Sequence, residues 1–451
     1  MIYESIFFIW DRVRLHMEMM EVMKMKAYKD LSKEELRALQ TELQAQYEKL
    51  KEADIKLDMS RGKPGADQLD LSVGMLDVLS SKSVFKGEDK IDIRNYGAFD
   101  GIKEAKELFA ELMECPIDHV MVFGNSSLSI MYDLVSRAMM HGIGGNTPWC
   151  KQEKVKFLCP VPGYDRHFAI TESFGIEMVN IPMDENGPDM DLVEKYVNND
   201  PAVKGIWNVP KYTNPAGVVY SDEVVRRFAN LKPAAPDFRI YWDNAYAFHH
   251  VYVDNKVEML NIVTECEKAG NPDMYYEVCS TSKVTFPGAG VGALITSPAN
   301  LAEVKKTVSL QTIGYDKMNQ MRHVMYFKNA AGVHAHMEKH AAILKPKFEA
   351  VLGCLEKELG GLEIGSWIKP LGGYFIAFDT LEGCAKRVVA LCKEAGVVMT
   401  PAGSTFPYMK DPADTSIRIA PTLPTPDELR QACEVFVLCV KLASVEKYLA
   451  A

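Results

Sequence analysis

Lys283 stands among hydroxyl side chains in Ser280-Thr281-Ser282-Lys283, and a run of small residues follows it, Pro287-Gly288-Ala289-Gly290-Val291-Gly292. The apolar run Tyr275-Tyr276-Glu277-Val278-Cys279 ends just before it. A lysine at a strand end, followed by backbone able to approach a ligand closely, is placed to form a Schiff base with an aldehyde. A surface lysine in a glycine-rich turn has the same local sequence, so the reading rests on what accompanies it.

The aldehyde cofactor that most often uses such a lysine is pyridoxal phosphate, and its site has further requirements. An acid must keep the pyridine nitrogen protonated, and Asp243 ends the apolar run Phe238-Arg239-Ile240-Tyr241-Trp242. The ring oxygen needs donors. Tyr246 lies three residues beyond Asp243, and Asn214 sits in Tyr212-Thr213-Asn214-Pro215-Ala216-Gly217, after a strand expected over 203–209. The phosphate needs backbone N–H groups at a helix start. Phe123-Gly124-Asn125-Ser126-Ser127 follows a strand and opens a helical pattern, with Ser280 and Ser282 able to add hydroxyls. Tyr164, in Pro162-Gly163-Tyr164-Asp165-Arg166-His167, can supply an aromatic platform for the ring. A substrate carboxylate calls for a bidentate cation, and Arg418 lies in the short strand Ser416-Ile417-Arg418-Ile419-Ala420. Each part alone is ordinary; an N-cap, a turn or an exposed-face residue would account for any one of them.

The elements that must position these residues alternate. Strands are expected at 120–123, 155–159, 176–181, 203–209, 238–243, 275–279 and 291–296, and helices at 102–113, 126–140 and 221–231. That pattern predicts an α/β fold, a mostly parallel seven-stranded sheet between helices, with ligands at the carboxyl ends of the strands. Ser32 and Glu35 form a capping-box signal ahead of an amphipathic helix over 33–52, whose Leu36, Leu39, Leu43, Tyr47 and Leu50 share a face. Residues 300–360 read as long helices. Short strands at 373–378 and 416–419, with helices at 383–395 and 426–447, read as a smaller α+β domain. The expected division is an upstream extension over 1–24, with the natural start at Met23 or Met25, an N-terminal helix and joining segment over 25–70, a large domain over 71–315 and a small domain over 316–451. A chain of 451 residues is long enough for two cores. The net charge of −10 argues against a nucleic-acid partner. Ile6-Phe7-Phe8-Ile9-Trp10 is too short to span a bilayer and no signal-peptide cleavage site is evident. The ten cysteines have neither zinc nor disulfide-framework spacing, so no metal is expected and the expected location is cytoplasmic.

Taken jointly, Gly124-Asn125-Ser126, Pro162-Gly163-Tyr164, Asn214-Pro215-Ala216-Gly217, Asp243-Asn244-Ala245-Tyr246, Ser280-Thr281-Ser282-Lys283, Gly372-Gly373-Tyr374-Phe375 and Arg418 resemble the fold-type I, class I/II aminotransferases, in particular the divergent bacterial aspartate aminotransferases. The resemblance runs from about residue 30 to the C-terminus. It implies that Lys283 carries pyridoxal phosphate as a Schiff base and moves the substrate proton. It pairs Asp243 with the ring nitrogen, supported by His167, and gives Asn214 and Tyr246 the ring oxygen, with Tyr164 stacked on the ring. Gly124, Asn125, Ser126 and Ser280 hold the phosphate. Arg418, with Gly62 near it, binds the α-carboxylate. Tyr96, in Arg94-Asn95-Tyr96-Gly97, resembles a tyrosine that reaches the phosphate of a neighbouring subunit, which implies a homodimer with shared sites. One position departs from the pattern: Gly290 stands where the family places a phosphate-binding arginine, so backbone amides or another cation must compensate.

The implied reaction is a ping-pong transfer between amino acids and 2-oxo acids, most simply from L-aspartate to 2-oxoglutarate. Arg61, Lys63, Arg166, Lys317 and Arg322 are candidates for the distal carboxylate. Alternatives on the same scaffold are an aminotransferase for alanine or aromatic substrates and a β-lyase. A transcription regulator built on this fold would need a DNA-binding domain ahead of residue 60, and the sequence there offers one amphipathic helix without a basic helix-turn-helix.

Overall fold

The computed structural model describes residues 26–451; the expected upstream extension lies outside the described residues. The strands, in chain order, are β1 (Leu57–Asp58), β2 (Val120–Val122), β3 (Lys156–Val161), β4 (Glu177–Asp184), β5 (Gly187–Pro188), β6 (Val203–Asn208), β7 (Arg239–Asp243), β8 (Tyr275–Ser280), β9 (Gly292–Ile295), β10 (Gly365–Trp367), β11 (Ile376–Thr380), β12 (Val397–Val398) and β13 (Ser416–Ile419). The seven strands expected between 120 and 296 form one sheet, and the two-residue β5 adds an eighth at its edge, in the order β2-β9-β8-β7-β6-β3-β4-β5.

Strands β8, β7, β6, β3 and β4 run parallel. β9 is antiparallel to both β8 and β2. The reason is the connection: the segment from Thr281 to Val291 holds only a short 3-10 turn, too little chain for the crossover a parallel return requires. The Lys283 turn is therefore the link between two paired strands. The chain moves outward from β3 to β4, then returns to place β6 and β7 on the other side of β3. That reversal opens a crevice at the carboxyl ends of β3 and β6, where α/β sheets bind ligands.

Side-chain alternation along the strands feeds two cores. Leu158, Ile206, Ile240 and Trp242 pack on one face of the sheet. Phe157, Trp207, Tyr241 and Tyr276 pack on the other. Both faces are covered by helices, which is why the central strands are buried along their length.

A third core joins the first and last long helices of the described chain. The helix Lys33–Glu52 starts on the expected capping box, with Ser32 N–H donating to Glu35 at 2.7 Å and Glu35 N–H to Ser32 Oγ at 3.2 Å. Such a cap contributes about 0.5–2 kcal/mol. Its buried Leu36, Leu39, Leu43 and Tyr47 belong to the same cluster as Phe436, Val440 and Leu442 of the helix Pro426–Ala450. The antiparallel sheet β10-β11-β13 lies in that cluster. β1 pairs in parallel with β12, Met59 N–H donates to Val398 at 2.9 Å, and Ala420 N–H donates to Met59 at 3.1 Å. These bonds carry residues 59–63 alongside β13. The helix Ala330–Leu359 serves two cores: Val333 and Met337 pack with the large sheet, Leu344, Phe348 and Val351 with the third cluster.

Candidate active site

A pocket of about 580 Å³ lies between the carboxyl ends of the sheet and the third core. Gly62, Tyr164, Asn214, Tyr246, Lys283 and Arg418 all line it, and its size suits a small organic ligand. Thus residues from 62 to 418 in the sequence meet in one cavity.

Lys283 ends a single 3-10 turn, Thr281–Lys283, that leaves β8. Its ammonium nitrogen lies 4.6 Å from the centre of the Tyr246 ring. Burial lowers the Lys283 pKa, opposed by the nearby Asp243 carboxylate. The turn is fixed from below: the Lys283 carbonyl accepts from Tyr374 Oη at 3.4 Å and lies 3.3 Å from His249 Nε2.

Asp243 closes β7 and is 3% exposed. One carboxylate oxygen, Oδ2, lies 3.1 Å from His167 Nε2. The other, Oδ1, is buried with no hydrogen-bond partner among the described residues. His167 is held by stacking on Trp207, with ring centres 4.6 Å apart, and Tyr164 meets it edge-on at 4.9 Å. Burial pushes the Tyr164 phenol up to about 12 and that of Tyr246 well above its ordinary value, so both hydroxyls keep their protons as donors.

Arg418 on β13 is 6% exposed and bonded through Nε and Nη1. Its Nη1 donates to Asp165 Oδ1 at 3.0 Å and to Asn214 Oδ1 at 3.3 Å, its Nε donates to Thr400 Oγ1 at 3.3 Å, and its guanidinium lies 4.9 Å from the Phe375 ring centre. The Asn214 amide N–H groups remain available, and the cis Asn214-Pro215 bond shapes the loop that presents them. Gly62 packs on the same aromatic pair: a Cβ there would come within 2.6 Å of Phe375 and 3.3 Å of Tyr374.

Gly124, Asn125 and Ser126 form the turn between β2 and the helix Ser127–His141. Ser126 occupies the N-cap without capping the helix through its side chain, which leaves that helix start open for an anion. Gly292 N–H donates to the Gly124 carbonyl at 2.6 Å, Asn125 Nδ2 to the Pro287 carbonyl at 3.1 Å, and Ser282 Oγ to the Asn125 carbonyl. Ser280 Oγ donates to Ser282 Oγ at 3.1 Å. Gly290 lies against this same turn, and its departure from the family pattern has a steric cause. A Cβ there would sit 2.8 Å from Ser282 N, 2.9 Å from Ser282 Cα and 3.0 Å from the Asn125 carbonyl. No arginine fits between those backbone walls.

Tyr96 lies apart from these groups and is 80% exposed. Arg61, Lys63 and Arg166 line the pocket; Lys317 and Arg322 do not. Arg322 instead bonds Asn319, whose amide holds the Ala289 and Gly290 carbonyls at 2.9 and 3.1 Å. Sequence reasoning missed Asp165, Thr400 and Trp207. Asp165 adjoins Tyr164, yet only folding brings it to Arg418, 253 residues away. No cluster of three or more metal-ligating side chains occurs among the described residues.

The donor set fits pyridoxal phosphate. The orphaned Asp243 oxygen matches a protonated ring nitrogen, the open helix start matches a phosphate, and the enclosed Lys283 amine matches an aldehyde. Fold and site together are those of a fold-type I, pyridoxal-phosphate-dependent aminotransferase. The comparisons with known proteins agree. The family described as "Aspartate amino-transferase" matches residues 31–451. A Mycolicibacterium smegmatis relative is 45% identical over 94% of this chain and 99% of its own length. The aspartate aminotransferase of Corynebacterium glutamicum is 44% identical over 95% of this chain and 98% of its own length. The crystal structure of an aspartate transaminase from Corynebacterium glutamicum superposes with a TM-score of 0.91 at 43% identity, covering 94% of this chain and all of that one. The chain belongs to the aspartate aminotransferase family.

Proposed function

We propose that this protein transfers the amino group of L-aspartate to 2-oxoglutarate in two half-reactions, with Lys283 as the group that holds the cofactor and moves the proton. The observation that supports this reading is the unpartnered Asp243 oxygen at the end of β7, with the carboxylate close enough to act on the Lys283 ammonium in the pocket that Arg418 also lines. Pyridoxal phosphate, when bound, supplies an aldehyde and an electron-withdrawing ring. Asp243 Oδ1 would accept the ring N–H, while His167 holds the other carboxylate oxygen. Asn214 and Tyr246 would donate to the ring oxygen, and Tyr164 would cover the ring. Gly124, Asn125, Ser126 and Ser280 would hold the phosphate with backbone and hydroxyl donors. Lys283, whose pKa is lowered by burial, is the group placed to take the proton from the substrate α-carbon. Arg418 exchanges its bond to Asp165 for the substrate α-carboxylate, and Gly62 gives the close approach that brings Phe375 over the guanidinium. Arg61, Lys63 and Arg166 are the cations placed to meet a distal carboxylate, which favours a dicarboxylic donor over alanine or an aromatic amino acid.

The active form in this reading is a homodimer. Tyr96, Leu310 and Ile313 are 80%, 85% and 61% exposed. A Cβ added at Gly314, next to Ile313, would lie 3.0 Å from the Gly97 carbonyl, so the backbone beside Tyr96 and that beside Ile313 adjoin. A second subunit covering it would receive Tyr96. No helix among the described residues is long and apolar enough to cross a membrane, and the reading places the enzyme in the cytoplasm. Lys283→Ala should abolish the cofactor's lysine-linked absorbance band and transamination together. Full activity in that variant, or an amino-donor screen with 2-oxoglutarate in which aspartate is not consumed, would overturn the assignment.

A further inference from the structure

A second cavity of about 570 Å³ lies behind the catalytic crevice. It shares no lining residue with the catalytic pocket. The strand register explains its position. Trp242 of β7 is paired with Glu277 of β8, one step before the pair Asp243–Val278, so Glu277 and Trp242 point to the sheet face opposite Asp243. Both line the second cavity, as does Asn244, the residue after Asp243.

Glu277 is 3% exposed, and no cation among the described residues pairs with it. Its Oε1 accepts from Asn244 Nδ2 at 3.0 Å, but Oε2 has no partner among the described residues. Asn244 is also buried, and its Oδ1 has no partner either. Two adjoining groups thus each present a buried free acceptor, and leaving such atoms unpaired costs about 1–3 kcal/mol each. A donor from outside the protein would satisfy both at once. The cavity wall gives that donor a sign: Glu111, Glu114, Glu258 and Glu338 join Glu277, against Lys211 and Lys256. His250 and His334 add no charge near neutral pH, because burial lowers both.

We propose that this cavity is a second binding site, for a small molecule carrying a primary ammonium group that donates to Glu277 Oε2 and Asn244 Oδ1. Burial without a countercharge pushes Glu277 up to about 7, and a bound cation supplies the missing charge. An ammonium has three donors, enough for both acceptors, and the volume accommodates its carbon skeleton. The site does not depend on the reading of the catalytic crevice.

The test uses the holoenzyme in its pyridoxamine form, which has no aldehyde to condense with an amine. Calorimetric titration with n-butylammonium chloride should show one site per chain, and 1-butanol of similar shape should not bind. Glu277→Gln should weaken butylammonium binding at least tenfold. Ala335→Phe, at an exposed position on the cavity rim, should block binding with kcat for transamination unchanged. Equal binding of amine and alcohol, binding that survives Ala335→Phe, or a soaked crystal with ordered water alone at Glu277 would each overturn the proposal. Should Glu277→Gln fail to fold, the rim variant decides.

Discussion

Gly290→Ala tests whether the phosphate turn is closed by backbone alone. The added methyl would lie 2.8 to 3.0 Å from Ser282 N, Ser282 Cα and the Asn125 carbonyl. Those atoms cannot retreat cheaply. Thr281 N–H donates to the Val291 carbonyl at 2.9 Å, Val291 N–H to Thr281 Oγ1 at 2.8 Å, and Phe123 N–H to the Gly292 carbonyl at 2.8 Å. Asn319 clamps the Gly290 carbonyl from the far side. Overpacking of a fixed site costs about 1–3 kcal/mol. Taken entirely from cofactor affinity, that is about 5- to 150-fold weaker binding. The assay is titration of the apoenzyme with pyridoxal phosphate, read by absorbance, with thermal unfolding of the apo form alongside. If the loss falls on the turn, affinity drops more than apo stability. An alanine or arginine at 290 that held the cofactor as tightly as glycine would refute the reasoning.

Asp243→Asn should keep the cofactor attached to Lys283 while the transamination rate falls on the order of 100-fold or more, because an amide cannot hold the ring nitrogen charged; a wild-type rate would remove Asp243 from its role. Arg418→Lys exchanges a planar fork with three protein partners for one point charge. The loss of a charge-assisted bond, about 1.5–3 kcal/mol, should raise KM for aspartate roughly 10- to 150-fold with a smaller change in kcat. Glu277 offers a pH test. Its pKa rises from 4.5 to about 7 on folding, so between those values the folded state holds more protons and stability falls as pH rises. The contribution, on the order of 3 kcal/mol, is fully present below about pH 4.5 and gone above about pH 7. Urea unfolding of wild type and Glu277→Gln across that window should converge or cross accordingly, and parallel curves would show that Glu277 is not buried as described.

Much of the site was legible in the sequence because its parts are local. The strands over 120–296 announced themselves by apolar runs bounded by turn residues, and Asp243, Ser280, Tyr164 and Asn214 followed at their ends. The capping box at Ser32 and Glu35 needed only three residues of context. Gly290 was visible as a departure from the family pattern. The antiparallel turn of β9 was not read, although the short chain between Lys283 and Gly292 contains the reason for it.

What only the tertiary structure decided lies between segments far apart in the chain. The pairing of β1 with β12 brings Gly62 to Arg418, and Asp165 reaches the same guanidinium across 253 residues. Gly290 is a glycine because Ser282 and Asn125 close on it from two different loops. The free acceptors of Glu277 and Asn244 exist because two strands set them side by side behind the sheet. The sequence by itself determined which residues stand at strand ends, since periodicity and turn chemistry act over a few residues. Which of them face one another, and at what distance, depended on how the large sheet and the third core pack, a property of the whole chain.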